Sequence, residues 1–477
     1  MRGRLAVAAV PALAALLLGA WGTGRPSLWT DEIVTIDVAR RPAGRIWELL
    51  GNIDAVHGLY YLLMHGWVQA AGFSPAAMRV PSVLAVAVTA AGIGLLGRAL
   101  AGPGTGLLAG LVYACLPVAG QYALEARSYA MVAAVAVLAT LALVRAVRSP
   151  RWFAGYAPAL VLLGYLHLFA VLLIPAHLVT VLALRPGRRV LAAWTAAVAA
   201  ACGAIAPLAY VAAGQRGAVK WIQPRDMEYL MHAVVSITGG VAATGLAGVL
   251  CVWGLVHWRA GELPKVAVPW LVLPPVILLT LSELEPLFVN RYLLFCVPAL
   301  ALLVAAGLTS CPRLVAVPTG VVLLLLVMSV QPGLRRPDSK YHDVTPVVRA
   351  LAQNARPGDG LVMEPSVTRG LESAYPKVFR PLVDLTLAVP AADRAALLAS
   401  QVGPRVLAQR LRGVDRVWMI RRYNGNRQVA ARARARVAQF RAAGLTVRAG
   451  QWRAKRMKLT LYVRSGPAAS QGAVTGK

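Results

Sequence analysis

Apolar positions fall into long runs separated by short polar gaps, from residue 5 to about residue 331. Runs at 5–20, 79–97, 104–121, 129–147, 153–168, 169–184, 190–213, 229–256, 266–282, 292–309 and 314–331 each approach the length that a helix needs to cross a bilayer. The pattern predicts about eleven transmembrane helices. The first run follows Arg2 and Arg4. It reads as an uncleaved helix rather than a signal peptide, since it lacks a clear A-x-A site and leads directly into a polar loop. The 153–168 and 169–184 pair is nearly continuous and needs a tight turn at Leu166-His167-Leu168. Residues 22–76 form a long first loop. Within it Ile33, Ile36, Trp47 and Leu50, then Tyr60, Leu63, Met64 and Trp67, recur at helical spacing, which predicts two short amphipathic helices lying on the membrane.

After residue 332 the pattern shortens. Val344–Ala355, Ala391–Ser400 and Gln428–Ala443 read as helices. Gly360–Glu364, Asp384–Leu387, Arg416–Ile420, Leu445–Ala449 and Leu459–Val463 read as strands. This alternation predicts a small α/β domain over 332–464, after a membrane domain over 1–331. The segment 465–477 reads as a disordered tail.

Composition agrees with the pattern. The chain has 477 residues and is 58% hydrophobic, with a mean hydropathy of +0.62, values of the multi-pass membrane class. The formal charge is +30. In a soluble chain that would suggest nucleic acid, but no nucleic-acid motif accompanies it. Positive-inside loops and anionic headgroups account for most of it, and the Arg excess of the tail would hold that domain against anionic lipid or an acidic polymer. Arg98, the Arg145/Arg148/Arg151 group, Arg185/Arg188/Arg189, Arg259/Lys265 and Arg313 occupy alternate loops, which should be cytoplasmic. The other loops carry Asp31, Glu32, Asp54, Glu125, Asp226, Glu228, Glu283 and Glu285, so the acids converge on the outer face, and an odd helix count leaves the C-terminal domain extracytoplasmic as well. Cys115, Cys202, Cys251, Cys296 and Cys311 lie in or at the ends of apolar runs without a CxxC pair, so neither a disulfide framework nor a zinc ribbon is implied.

Five polar clusters fall in these outer loops. Asp31 and Glu32 adjoin where a helix meets water. Such a pair serves as caps for the next helix, or as a base that takes a proton from an acceptor hydroxyl with a second carboxylate that positions the acceptor or a metal. Asp54, His57 and Tyr61 share a helical spacing. Glu125, Arg127 and Tyr129 lie together, and an outer Arg suits either a lipid phosphate or a snorkelling position. Lys220-Trp221-Ile222-Gln223-Pro224-Arg225 and Asn290-Arg291-Tyr292 complete the set. Cations from three outer loops beside carboxylates suit a phosphate leaving group next to a general base.

The order Trp29-x-Asp31-Glu32, Asp54-x-x-His57-x-Leu59-Tyr60-Tyr61, Arg79-x-x-Ser82, Glu125-Ala126-Arg127-Ser128-Tyr129-Ala130 and Arg291-Tyr292-Leu293 resembles the protein mannosyltransferase-like superfamily of GT-C glycosyltransferases, over residues 1 to about 331. The resemblance implies an enzyme that takes a sugar from a polyprenyl-phosphate donor at the outer leaflet. It implies Asp31 as base, Glu32 as a positioning carboxylate, and Arg127 and Arg291 on the donor phosphate. Tyr292 joins that phosphate site, and Asp54, His57, Tyr61, Glu125, Tyr129 and Trp221 are the expected substrate-binding residues. The family's usual His-Pro step is His57-Gly58 here. The expected setting is a plasma-membrane protein that passes a mannose- or arabinose-type sugar to a cell-envelope glycan, lipid or protein, with membrane lipids but no nucleic acid as partners. No cofactor is assigned, and a divalent metal held by Glu32, Asp54 and His57 is left open, although their spacing is no recognised ligand set. The alternatives are a transporter or flippase for lipid-linked sugars, which should show broken helices and internal repeats, and a non-catalytic scaffold whose basic tail binds an acidic polymer.

Overall fold

The computed structural model describes residues 2–219, 221–258, 261–423 and 425–465. Lys220, Arg259 and the 466–477 part of the tail lie outside the described residues, as do the side chains of Arg2 and Arg4. The helices, in chain order, begin with α1 (Arg2–Ala20), α2 (Thr30–Ala39), α3 (Ala43–Asn52), α4 (Gly58–Ala71), α5 (Pro75–Ala101), α6 (Pro103–Cys115) and α7 (Pro117–Ala123). Then come α8 (Tyr129–Arg148), α9 (Phe153–Leu166), α10 (Leu173–Leu184), α11 (Arg188–Gly214), α12 (Met227–Thr238), α13 (Val241–Trp258), α14 (Glu262–Leu284), α15 (Val297–Ser310) and α16 (Arg313–Leu334). The C-terminal part holds α17 (Thr345–Asn354), β1 (Gly360–Glu364), α18 (Gly370–Ala374), α19 (Pro376–Phe379), β2 (Val383–Asp384), α20 (Pro404–Arg412), β3 (Arg416–Arg422), α21 (Arg427–Ala442), β4 (Val447–Ala454) and β5 (Met457–Val463).

Two compact units result. One comprises Met1–Thr23, Asp54–Tyr60 and Ala76–Arg335, and the other Gly24–Ile53, Tyr61–Pro75 and Arg336–Lys477. In the first, 7 helical segments among the described residues are long and apolar enough to cross a membrane, or up to 8 if the bent α6–α7 pair counts as one span. Leu5–Ala20 and Leu168–Leu184 are shorter apolar helices. The chain is thus a mostly helical multi-pass membrane protein. Of the span through α8, 78% is buried inside the unit, against 17% for α11 and for α16. Leu324, Leu325, Val321 and Val322 of α16 point outward, an apolar surface that only hydrocarbon tolerates at this extent. Where helices touch, small residues let backbones approach: a Cβ on Gly254 of α13 would lie 2.7 Å from the Gly307 amide nitrogen of α15.

Three runs depart from straight helices. The 229–256 run divides into α12 and α13 because Gly239 adopts φ +85°, a left-handed helix end. The 153–184 pair breaks at His167, whose extended backbone separates α9 from a 3₁₀ turn over Leu168–Leu172. The 104–121 run bends by 60° between α6 and α7, where Pro117 opens α7 without an N–H to donate. The carbonyl freed at Cys115 accepts from Gln331 Nε2 at 2.9 Å. Arg335 Nη1 in turn donates to Gln331 Oε1 at 2.8 Å, while its Nε donates to the Trp21 carbonyl at 2.9 Å. This latch fixes the bend that leads into the Glu125–Tyr129 loop.

The second unit contains a five-stranded sheet of order β2-β1-β3-β5-β4. β1 runs parallel to β2 and β3, and β5 antiparallel to β3 and β4. Val362, Val417, Met419 and Tyr462 pack against Leu407, Leu411 and Phe440 of α20 and α21. Most of the first loop folds with this unit: Ser27 Oγ accepts from the Val344 N–H at 2.9 Å, and Ser373 Oγ donates to Asp37 Oδ1 at 2.6 Å. That loop holds three α-helices, α2, α3 and α4, rather than the two expected.

Ala391–Ser400 is not the expected helix. Alanine favours one, but the segment turns back to pair with its neighbours. The Ala388 N–H donates to the Ser400 carbonyl and the Ser400 N–H to the Val389 carbonyl, each at 3.0 Å. The expected strand at Asp384–Leu387 stops at Asp384, whose Oδ1 accepts from the N–H groups of Thr386 and Leu387 and closes a turn.

Candidate active site

The first unit gathers residues from four polar connections. Asp54 adopts the left-handed conformation at φ 66°, where Asp is better tolerated than most side chains, and opens a 3₁₀ turn over Ala55–His57. Gln215 Oε1 accepts from the Ala55 N–H at 2.9 Å and ties this turn to the end of α11. His57 Nε2 faces Arg127 Nη2 at 2.8 Å. Asp54 Oδ1 lies 3.8 Å from the same nitrogen, too far for a hydrogen bond. Burial, then the charges of Arg127 and Arg291, hold the His57 pKa well below its ordinary value. His57 is therefore a neutral acceptor for the Arg127 guanidinium at neutral pH.

The Glu125–Tyr129 loop is held from below. Ser82 Oγ donates to the Glu125 carbonyl at 2.6 Å, and Arg79, fully buried, donates from Nη1 to the Thr23 carbonyl at 2.7 Å. The sequence motif Arg79-x-x-Ser82 is thus scaffolding beneath Arg127. Arg291 Nε donates to the Tyr129 hydroxyl at 3.0 Å. Its guanidinium lies 5.3 Å from the Trp221 ring and 5.9 Å from each of the Tyr129 and Tyr292 rings. Arg127 approaches the Tyr129 ring from 6.0 Å, so both arginines converge on one tyrosine. Asn290 Oδ1 accepts from the Arg291 N–H at 2.9 Å and fixes the start of that segment.

Seven of the expected residues therefore come together: Asp54, His57, Glu125, Arg127, Tyr129, Arg291 and Tyr292, with Trp221 at their edge, half-exposed. Arg225 is engaged elsewhere, 4.2 Å from the Tyr229 ring. His167 and Phe169 join the cluster without having been expected in it; the His167 ring lies 4.8 Å from Tyr292 and the Phe169 ring 5.5 Å. The signal was a polar side chain inside a nearly continuous apolar run. Leu59, two residues from His57, lines an apolar groove of about 490 Å³ together with Pro158, Val161, Leu162 and Tyr165 of α9 and Ala200 of α11.

Asp31, Glu32 and Tyr61 belong to the second unit. Both carboxylates stand in the first turn of α2, where they complement the helix dipole. Glu32 is fully buried, and its Oε2 accepts from the Trp29 N–H at 3.4 Å. Glu32 thus takes part in capping α2. Asp31 is partly exposed. Beside it, Thr30 Oγ1 accepts from Arg422 Nη1 at 2.7 Å. Tyr61 is buried on α4. Among the described residues, no group of three or more His, Cys, Asp or Glu side chains is placed to hold a metal ion.

Residues 59–213 match the family described as dolichyl-phosphate-mannose-protein mannosyltransferase. The structure resembles that of ArnT from Cupriavidus metallidurans in the apo state, with a TM-score of 0.63 at 12% identity, covering 95% of this chain and 97% of that one. The same protein bound to undecaprenyl phosphate gives 0.62 at 12% identity over 98% and 99%. The chain has the GT-C fold. The family resemblance read from the sequence is borne out by this fold and by the matched segment. The archaeal oligosaccharyltransferase AglB from Archaeoglobus fulgidus, in complex with an inhibitory peptide and a dolichol-phosphate, aligns at a TM-score of 0.50 and 12% identity over 87% of this chain and 69% of that one. No curated protein matches the chain in sequence. Asp31 lies outside the matched segment, whereas Arg127 and Tyr129 lie within it.

Proposed function

We propose that this GT-C protein transfers a sugar from a polyprenyl-phosphate donor to a cell-envelope acceptor at the extracytoplasmic face. The observation that carries the reading is the convergence of Arg127 and Arg291 on Tyr129, together with an apolar groove lined by Leu59, two residues from His57. Two guanidinium groups suit a phosphodiester, and an apolar groove suits an isoprenoid tail. The undecaprenyl phosphate bound by ArnT, a protein of the same fold, supports that donor class.

In this reading the acceptor hydroxyl oxygen attacks C1 of the sugar. The C1–O bond to phosphate breaks, and its electron pair leaves with the polyprenyl phosphate. Arg127 and Arg291 stabilise the charge that develops there, and Tyr292 and Trp221 wall the site. His57 aims Arg127 through the 2.8 Å contact. Asp31 takes the acceptor proton as general base, and Glu32 holds the turn that presents it. The sugar is of the mannose or arabinose type, the helices cross the plasma membrane about eleven times, and the C-terminal domain is extracytoplasmic.

The 60° bend at Leu116–Pro117 is the feature a transporter of lipid-linked sugars would share. Purified protein given a panel of polyprenyl-phosphate sugars separates the two readings. Release of polyprenyl phosphate with a new glycosidic bond supports the enzyme. Movement of intact donor across a vesicle without release overturns it.

A further inference from the structure

The antiparallel half of the sheet carries an unusual row of cations. Arg421 of β3 pairs in register with Lys458 of β5, and Lys458 pairs with Arg453 of β4. Residues opposite one another share a face, so the three positive side chains stand side by side across three strands, over roughly 10 Å. Arg448 lies on the same face of β4, opposite Tyr462.

Like charges directly opposite in a sheet repel, and the arrangement persists only where something offsets it. Among the described residues, Arg421, Lys458 and Arg453 form no ion pair. Four acids of the unit are engaged by other arginines: Asp359 by Arg416, Glu364 by Arg436, Asp384 by Arg369 and Asp415 by Arg464. The Lys458 ammonium feels the result, since burial and then Arg453, Arg448 and Arg421 lower its pKa. Arg421 lies 4.7 Å from the Tyr423 ring, and its Nε is buried without a hydrogen-bond partner among the described residues.

The end of β3 that carries this row also approaches the candidate base within the same unit, on the opposite face of the sheet. Arg422, the next residue on β3, donates to Thr30 beside Asp31. Arg456, in the β4–β5 turn, lies 4.0 Å from the Tyr341 ring. A single small anion is too short for a row of this width. A chain with phosphate or carboxylate groups at close intervals fits it.

We propose that Arg421, Lys458 and Arg453 form a binding site for a linear polyanion, and that the acceptor is an acidic glycan whose phosphate or carboxylate groups are held there while a hydroxyl reaches Asp31. The assignment as acceptor rests on the transferase reading; the binding itself does not.

The test uses the full chain in nanodiscs, with inorganic polyphosphate as the probe. Arg421→Gln/Lys458→Gln/Arg453→Gln removes three positive charges from the row. Arg427→Gln/Arg432→Gln/Arg434→Gln removes the same charge from three exposed positions of α21. At on the order of fivefold per cation before screening, the row variant should bind polyphosphate at least about tenfold more weakly, and the α21 variant far less so. The single exposed change Arg453→Gln should weaken binding partway, with hydrogen exchange in β3 unchanged as the check on folding. Equal weakening in the row and α21 variants overturns the site, as does a wild type that ignores polyphosphate. Loss of phosphatidylglycerol-dependent protection of β4 in the row variant, with polyphosphate binding intact, assigns the row to lipid and also overturns it. Failure of sugar transfer with polyphosphate binding retained would remove the acceptor role and leave the site.

Discussion

His57→Ala should weaken donor binding without touching the donor. The Arg127 Nη2 to His57 Nε2 distance of 2.8 Å is that of a charge-assisted hydrogen bond. The two side chains are partly or wholly buried, with His57 16% exposed. Burial and two neighbouring arginines keep the imidazole neutral, so it accepts throughout the neutral range. Hydrogen bonds to charged groups contribute about 1.5–3 kcal/mol net. If that energy holds Arg127 towards the phosphate, its loss corresponds to a drop in affinity of about tenfold to a hundredfold. The assay is titration of undecaprenyl phosphate into purified protein in detergent, with undecaprenol as the control that lacks the anion. The weakening should appear for the phosphate and not for the alcohol. His57→Gln, which keeps an acceptor, should recover part of it. Equal phosphate affinity in wild type and a folded His57→Ala protein would refute the orienting role.

Other consequences concern stability. Gln331→Leu leaves the Cys115 carbonyl without its side-chain donor at the helix bend, and should cost about 1–3 kcal/mol, read as a lowered melting temperature in detergent. An unchanged melting temperature would show that the bend does not depend on this latch. Glu372 has its pKa raised to about 8, by burial first and then by Asp384, with Arg369 opposing. A raised carboxyl pKa means that the folded state keeps a proton the unfolded state has lost. Its stabilising effect is therefore full below the ordinary carboxyl range and is lost as pH rises towards 8. Hydrogen exchange in α18 should quicken over that interval in wild type beyond the intrinsic pH dependence, and Glu372→Gln should abolish the extra increase; identical pH profiles would contradict it. His57 acts in the opposite direction. Its lowered pKa makes stability fall as pH drops below about 6.5, and His57→Gln should flatten that limb of the melting profile.

The apolar runs were legible because length and hydropathy decide whether a segment can sit in hydrocarbon, and each run contains helix in the structure. Gly360–Glu364 was legible for a related reason, since all five residues are buried. The segment 391–400 misled because alanine reports local propensity, whereas the backbone pairing of Ala388 and Val389 with Ser400 is tertiary. In the site, arginines in loops that the charge pattern assigns to the outer face stood out against the positive-inside trend. What they touch did not, because His57 and Arg127 lie 70 residues apart and Tyr129 and Arg291 lie 162 apart. His167 passed as a turn residue for the same reason. Glu32 and Asp31 are adjacent in sequence yet differ in setting: Glu32 is buried with Oε2 accepting from the Trp29 N–H, and Asp31 is partly exposed.

The most direct test is sugar transfer by the purified full chain, comparing wild type with Asp31→Asn across polyprenyl-phosphate sugars and simple acceptors. We expect wild type to release polyprenyl phosphate and form product. Asp31→Asn should bind undecaprenyl phosphate with unchanged affinity and lose turnover by at least about a hundredfold, within the range a positioned general base contributes. Turnover that survives the substitution in a folded protein would remove Asp31 from the mechanism. A wild type that binds every donor and transfers none would contradict the account as a whole.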